Sequence, residues 1–156
     1  MVLIENFDPN YLLFERAEAL VREGLSPRVI IAVHGNGAVP KGIAELMSRA
    51  AHLENFEIVP IPEQEPITLN TVMDLKAYLL SHSVSSILVV TDGFRSQRAF
   101  LIYDRLVRPA GIRFSIIPVF GLKDVHNWRK SWHGIQDVTL EFGKLWYYRL
   151  FVLPAV

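Results

Sequence analysis

The stretch Thr91-Asp92-Gly93-Phe94-Arg95-Ser96, with Arg98 two residues on, carries the residue types an anion site needs. It follows an apolar run and opens an amphipathic one, so it reads as a strand-to-helix turn. Gly93 lets the backbone turn sharply, and the helix that follows presents free N–H groups at the positive end of its dipole. Arg95, Ser96 and Arg98 add charged and neutral donors at that point, a set suited to phosphate or carboxylate. The competing reading is a capped helix with surface arginines. A second turn, His34-Gly35-Asn36-Gly37 followed by Lys41, has the same position between strand and helix. It matches neither the GxGxxG fingerprint nor the GxxxxGK[ST] loop, so a tight turn with positive φ explains it equally well. His34 stands at the strand end, where an imidazole could carry a proton near neutral pH. The carboxylates Glu5, Asp8, Glu63, Glu65 and Asp92 offer a general base or, as the lesser reading, oxygen ligands for a metal. Asp8 also suits a helix cap, Glu63 and Glu65 suit solvated loop positions, and no metal site is expected.

The elements that must position these residues alternate between two periods. Residues 2–4 form a short apolar run. Asp8 and Pro9 read as the N-cap and first residue of a helix carrying Leu13, Ala17, Leu20 and Val21 on one face, ended by Gly24. Residues 29–33 are a continuous apolar run, expected of a strand buried on both faces. Ile43, Leu46, Met47 and Ala50 stripe a second helix, and residues 56–61 form a third strand before a proline-rich loop over 60–66. Thr71 with Asp74 resembles a capping box, with Val72, Leu75 and Leu79 behind it. Residues 87–90 give a fourth strand. Ser96 reads as the cap of a helix with Ala99, Ile102, Tyr103 and Leu106 inward, and residues 112–119 contain a fifth strand. A last helix over about 127–150 carries Trp128, Trp132, Ile135, Val138, Phe142 and Leu145 at core spacing. The expected fold is one α/β domain spanning 1–156, a three-layer αβα sandwich with a mostly parallel, about five-stranded Rossmann-like sheet. In such a sheet the polar turns at the strand ends gather on one edge, where ligands bind.

Composition narrows the partners. The chain has 156 residues, 51% of them hydrophobic, enough for a core without staples. Sixteen Lys+Arg balance sixteen Asp+Glu, which argues against nucleic acid, a partner that normally demands a basic excess. With no cysteine there is no disulfide, no thiolate nucleophile and no Cys-based zinc site. The N-terminus lacks the basic start and apolar run of a signal peptide, and no window reaches the roughly 20 apolar residues of a span. A cytoplasmic location is expected.

The residues 87–100, Ile-Leu-Val-Val-Thr-Asp-Gly-Phe-Arg-Ser-Gln-Arg-Ala-Phe, resemble the signature of the SanA/YdcF/ElyC-like domain family. There an apolar strand is followed by V-T-x-x-[FY]-H-x-x-R-A. Asn70-Thr71 resembles the family's "NT" helix start. Glu5-Asn6-Phe7-Asp8-Pro9 resembles the opening of one branch, and Asn127-Trp128, Trp132-His133-Gly134, Glu141 and Lys144 its tail. The resemblance spans most of the chain, with two departures. Arg95 stands where relatives have histidine, and His34-Gly35-Asn36-Gly37 replaces a Ser-Gly-Gly-like turn. The resemblance implies a Rossmann-like fold, an association with bacterial envelope polysaccharide metabolism, and a site including Asn70, Thr71, Thr91, Ser96 and Arg98. Position adds Asp8, His34, Asp92 and Arg95.

Three functions follow as expectations. The first is an enzyme that hydrolyses or transfers a group on a phosphorylated or nucleotide-linked metabolite. In it Arg95 and Arg98 hold the anion, the N–H groups of the turn at Gly93 stabilise developing charge, and His34, Asp8 or Asp92 move protons. The second is a non-catalytic module binding a nucleotide-like ligand, S-adenosylmethionine included, which the turn of Gly35, Asn36 and Gly37 approaches with its backbone. The third is a homo-oligomer or pathway scaffold that docks through its aromatic C-terminal helix. The sequence names no cofactor.

Overall fold

A computed structural model describes every residue except Asn6, Asp8, Pro9 and Asn36. Five strands alternate with helices: β1 (Val2–Glu5), α1 (Tyr11–Arg22), β2 (Val29–His34), α2 (Ala38–Ala50), β3 (Phe56–Ile61), α3 (Ile67–Ser81), β4 (Ser86–Asp92), α4 (Ser96–Leu106), β5 (Arg113–Val119) and α5 (Trp132–Tyr147). The sheet order is β3-β2-β1-β4-β5, and every pairing is parallel. The expected three-layer αβα sandwich is what forms.

The apolar strand runs follow from burial on both faces. In β1, Leu3 packs under α3 and α4 with Val72, Leu75 and Ile102, while its neighbours Val2 and Ile4 pack under α1 with Leu13 and Phe14. The chain builds β1, β2 and β3 outward in one direction, then α3 carries it back across to place β4 on the other side of β1. The order therefore reverses between β1 and β4, and a crevice opens outside the carboxyl ends of those two strands. In register Ile4 pairs with Val90, so the next residues, Glu5 and Thr91, come together at the carboxyl ends of these strands.

Several sequence expectations need correction. The α1 cap is Asn10, whose side chain accepts from the Leu12 N–H at 3.1 Å; Asp8 and Pro9 lie outside the described residues. Thr71 is not a cap. It lies inside α3, fully buried, because the helix begins at Ile67 directly after Pro66. Ser96 opens α4, but its hydroxyl donates to the Gly93 carbonyl at 2.7 Å, and Asp92 is the residue that caps the turn, accepting from Phe94 N–H. On α2 the buried side chains are Ala44 and Ser48, whereas Leu46 faces solvent. Ser48 sits in the core because its hydroxyl donates to the Ala44 carbonyl within the same helix.

The largest departure is α5. Its predicted core stripe divides: Trp132, Ile135 and Phe142 are exposed, Trp128, Val138 and Leu145 are half-buried, and Gly134 is the one buried residue of the helix. The helix starts at Trp132 after a short turn, Trp128–Lys130, and continues into a π-helical turn, Tyr148–Val152, whose Tyr148 and Val152 return to the core. Gly134 permits this entry. A Cβ there would overlap the Trp128 carbonyl oxygen and come within 3.0 Å of Ser131 Oγ, which caps the helix by accepting from Gly134 N–H. Because the obstacle is backbone, Gly134→Ala should cost about 3 kcal/mol. Denaturant unfolding would show it, and an unchanged midpoint would refute the role given to this glycine.

Candidate functional site

Two clefts open at the sheet's carboxyl edge and share one wall. The larger, of about 480 Å³, is lined by residues including Asp92, Phe94, Arg95, Phe120, Lys123 and Asp137. The smaller, of about 360 Å³, is lined by residues including Phe7, His34, Thr68, Arg98, Tyr147 and Tyr148. Glu5, Arg95 and Lys144 line both. Each comes from a different element: the end of β1, the turn after β4, and α5. The topological switch point and the clefts thus coincide.

Glu5 is a buried acid at this place. It is 4% exposed, and the Tyr103 hydroxyl donates to its Oε1 at 3.0 Å. Burial pushes its carboxyl above the ordinary value, against the opposing pull of Thr91, Tyr103, Arg95 and Arg98. Thr91 Oγ1 is close enough to weigh on that charge but makes no hydrogen bond of good geometry among the described residues. Burial, with the Glu5 charge added, holds the Tyr103 phenol well above its usual range, so it stays a donor. A carboxyl kept towards its protonated form in a cleft is equipped to take or give a proton.

Arg98 lines the smaller cleft and is also engaged within the fold. It is 6% exposed, and its guanidinium donates to Glu141 Oε2 from Nε at 3.0 Å and from Nη2 at 2.8 Å. Its Nη1 donates to Thr68 Oγ1, and its plane lies over the Tyr148 ring, 5.6 Å from the centre. The Tyr148 hydroxyl in turn accepts from the Thr68 N–H at 3.0 Å. One arginine on α4 thereby joins α3, α5 and the π-helical turn. Lys144 donates to the other oxygen of Glu141 at 2.9 Å, and Arg95 Nε stands 4.0 Å from it. Burial alone would raise the Glu141 carboxyl, but Arg98 and Lys144 hold it below its ordinary value.

The remaining candidates divide into those at the clefts and those behind them. His34 lines the smaller cleft, stacked on Phe7 at 4.2 Å between ring centres, with Nε2 3.2 Å from Thr71 Oγ1 and Nδ1 4.0 Å from Glu63. Thr71 thus orients His34 from below. Asp92 lines the larger cleft while capping its own turn. Gly93 lies behind it, where a Cβ would collide with the Phe120 ring. Gly35 takes the left-handed conformation (φ +79°) and its N–H donates to Ile61, whereas Gly37 is extended and caps α2. Asn70 serves the loop before α3, donating to the carbonyls of Gln64 and Glu65. Asn36 and Asp8 lie outside the described residues. Ser96, Thr91 and Lys41 line neither cleft.

No protein-family model, no curated protein and no solved structure matches the chain. What the site is rests on its own geometry. The α5 contribution was hidden behind its apolar stripe, although a polar stripe was present. Asp137, Glu141, Lys144 and Tyr148 recur at i, i+4, i+7 and i+11, one helical face, and that is the face turned to the clefts. Lys123 pairs with Asp137 at the larger cleft's far side. Glu5 had a signal too: it is the carboxylate that ends a wholly apolar strand.

Proposed function

We propose that this protein binds and acts on a phosphorylated or nucleotide-like small molecule at the carboxyl edge of its sheet. The observation that carries this reading is the wall common to the two clefts, where a buried acid and two cations, Glu5, Arg95 and Lys144, face the same space. In this reading Arg95 and Lys144 hold the anionic group, and the N-terminus of α4 adds the favourable end of its dipole. Glu5 exchanges a proton with the reacting oxygen or leaving group, and His34 contacts the ligand in the smaller cleft beside Phe7. The reaction class is hydrolysis or group transfer, both of which need an anion clamp and a proton carrier. The likeness to the SanA/YdcF/ElyC-like family, with Arg95 in place of its histidine, supports a clamp at this turn and suggests envelope polysaccharide metabolism as the setting.

Thermal unfolding in the presence of nucleotides, sugar phosphates and S-adenosylmethionine tests the reading. A true ligand at 100 times its Kd should stabilise the fold by about 2.7 kcal/mol. Arg95→Ala should remove most of that stabilisation while leaving the unliganded midpoint within about 1 kcal/mol, since Arg95 is part-exposed. Ligand stabilisation undiminished by Arg95→Ala would place the ligand elsewhere. Binding without turnover across the same panel would favour the non-catalytic module.

A further inference from the structure

The outward face of α5 and the turn after it is mostly apolar, interrupted by Gln136 and Thr139, and nothing among the described residues covers it. Trp132 is 68% exposed, Phe142 61% and Leu150 56%, with Ile135 and Trp146 between them on the same arc. Phe151 widens it, as do Leu140 and Tyr147 at the rims of the two clefts. The arc carries no Asp, Glu, Lys or Arg. The helix's own charges, Asp137, Glu141 and Lys144, are turned towards the clefts, and Arg149 lies at the margin, 5.4 Å from the centre of the Trp146 ring. The usual amphipathic arrangement is inverted here.

We infer that this face is the interface of a homodimer, with α5 of one copy packed against α5 of a second. Size is the first argument. With about 150–250 Å² for a whole aromatic side chain, the exposed fractions amount to on the order of 1,000 Å² of surface. A monomer's largest apolar patch is roughly 300–600 Å², while a stable dimer buries about 800 Å² from each partner. Charge is the second argument. An uncharged face on a chain with sixteen basic and sixteen acidic residues offers an anionic membrane or nucleic acid no attraction, but meets its own copy without repulsion. The third is Gly143, near the middle of the arc. Glycine is unfavourable inside a helix, and a Cβ there would meet nothing within 4 Å among the described residues. A bare backbone in that position suits the close approach of a second helix across a two-fold axis. Trp132, Ile135, Thr139, Phe142 and Trp146 alternate by three and four residues, the spacing of a helix-pairing seam.

Sedimentation velocity and light scattering over micromolar concentrations test this directly. The wild-type chain should run at twice its monomer mass. Phe142→Glu and Gly143→Leu should each raise the dimer Kd roughly 30-fold or more, with the helical circular dichroism of the monomer kept. Leu46→Glu, on the exposed side of α2, should leave the dimer intact. A wild-type protein that stays monomeric overturns the inference. So does a dimer indifferent to both α5 substitutions, or a monomer that sediments with phosphatidylcholine–phosphatidylserine vesicles through the same residues.

Discussion

Arg98→Ala should lower stability by about 3–5 kcal/mol, the usual cost of removing one partner from a buried ion pair. Without its guanidinium, Glu141 keeps Lys144 and the more distant Arg95, Thr68 Oγ1 loses its donor, and the Tyr148 ring loses its cation. The link from α4 to α3 and α5 goes with them. For a domain of this size such a loss corresponds to roughly 10 °C in Tm. Tryptophan emission is a local reporter, because Trp128, Trp132 and Trp146 all lie in the C-terminal segment that Arg98 anchors. Their signal should change at lower denaturant than the far-ultraviolet circular dichroism if α5 detaches first. Arg98→Lys should recover only part of the loss, since an ammonium cannot reach Glu141 and Thr68 as a planar fork does. Equal midpoints for wild type and Arg98→Ala would refute the anchoring role.

The same pair sets an acid limit. Burial opposes the Glu141 charge, but Arg98 and Lys144 outweigh it, so the folded-state value lies below the ordinary 4.5. A depressed carboxylate contributes stability that is fully present above pH 4.5 and is lost as pH falls through its folded value. In Arg98→Ala that contribution shrinks and burial acts with less opposition. Unfolding should then begin at higher pH than in the wild-type protein.

How much of this was legible in the residues depends on what each residue meets. Strand β2 and the Ala99, Ile102 and Leu106 stripe of α4 follow from runs whose surroundings are apolar. Local pattern suffices there. The reversal of strand order between β1 and β4 was not legible, because pairing partners are far apart in sequence. With it went the meeting of Glu5 and Thr91. Thr71 shows a different limit. A threonine followed by an acid three residues on is a good cap in isolation, yet Pro66 starts the helix earlier and Thr71 becomes the buried partner of His34. For α5 the apolar stripe divided between a half-buried and an exposed part because its polar stripe has the stronger local demand. Glu141 finds Arg98, Lys144 and Arg95 only on the inner side, so the aromatic face is left outward. The turn after β4 was rightly placed at the sheet edge, but its two arginines divide the work: Arg95 faces both clefts and Arg98 holds the walls together.

Glu5→Gln should make the protein more stable at neutral pH and less able to turn over its substrate. Burial raises the Glu5 carboxyl above the ordinary 4.5, so the folded state binds this proton more tightly than the unfolded chain. The sign follows from that difference. The benefit of the bound proton is complete below pH 4.5 and is lost as pH rises through the higher folded value. Glutamine is uncharged at every pH and keeps an oxygen to accept from Tyr103. Its amide nitrogen gains Thr91 Oγ1 as an acceptor, an oxygen that otherwise lacks a well-formed hydrogen bond. The wild-type fall in stability above pH 4.5 should therefore flatten in the variant. If Glu5 carries the proton, turnover on an identified phosphorylated substrate should drop by about 100-fold or more. Affinity should move the other way, because a negative charge beside Arg95 competes with an anionic ligand for that cation. Tighter binding joined to slower turnover separates a proton carrier from a residue that merely shapes the cleft, for which both would weaken together. A variant with wild-type turnover would remove Glu5 from the chemistry and leave His34 or Asp92 to carry the proton.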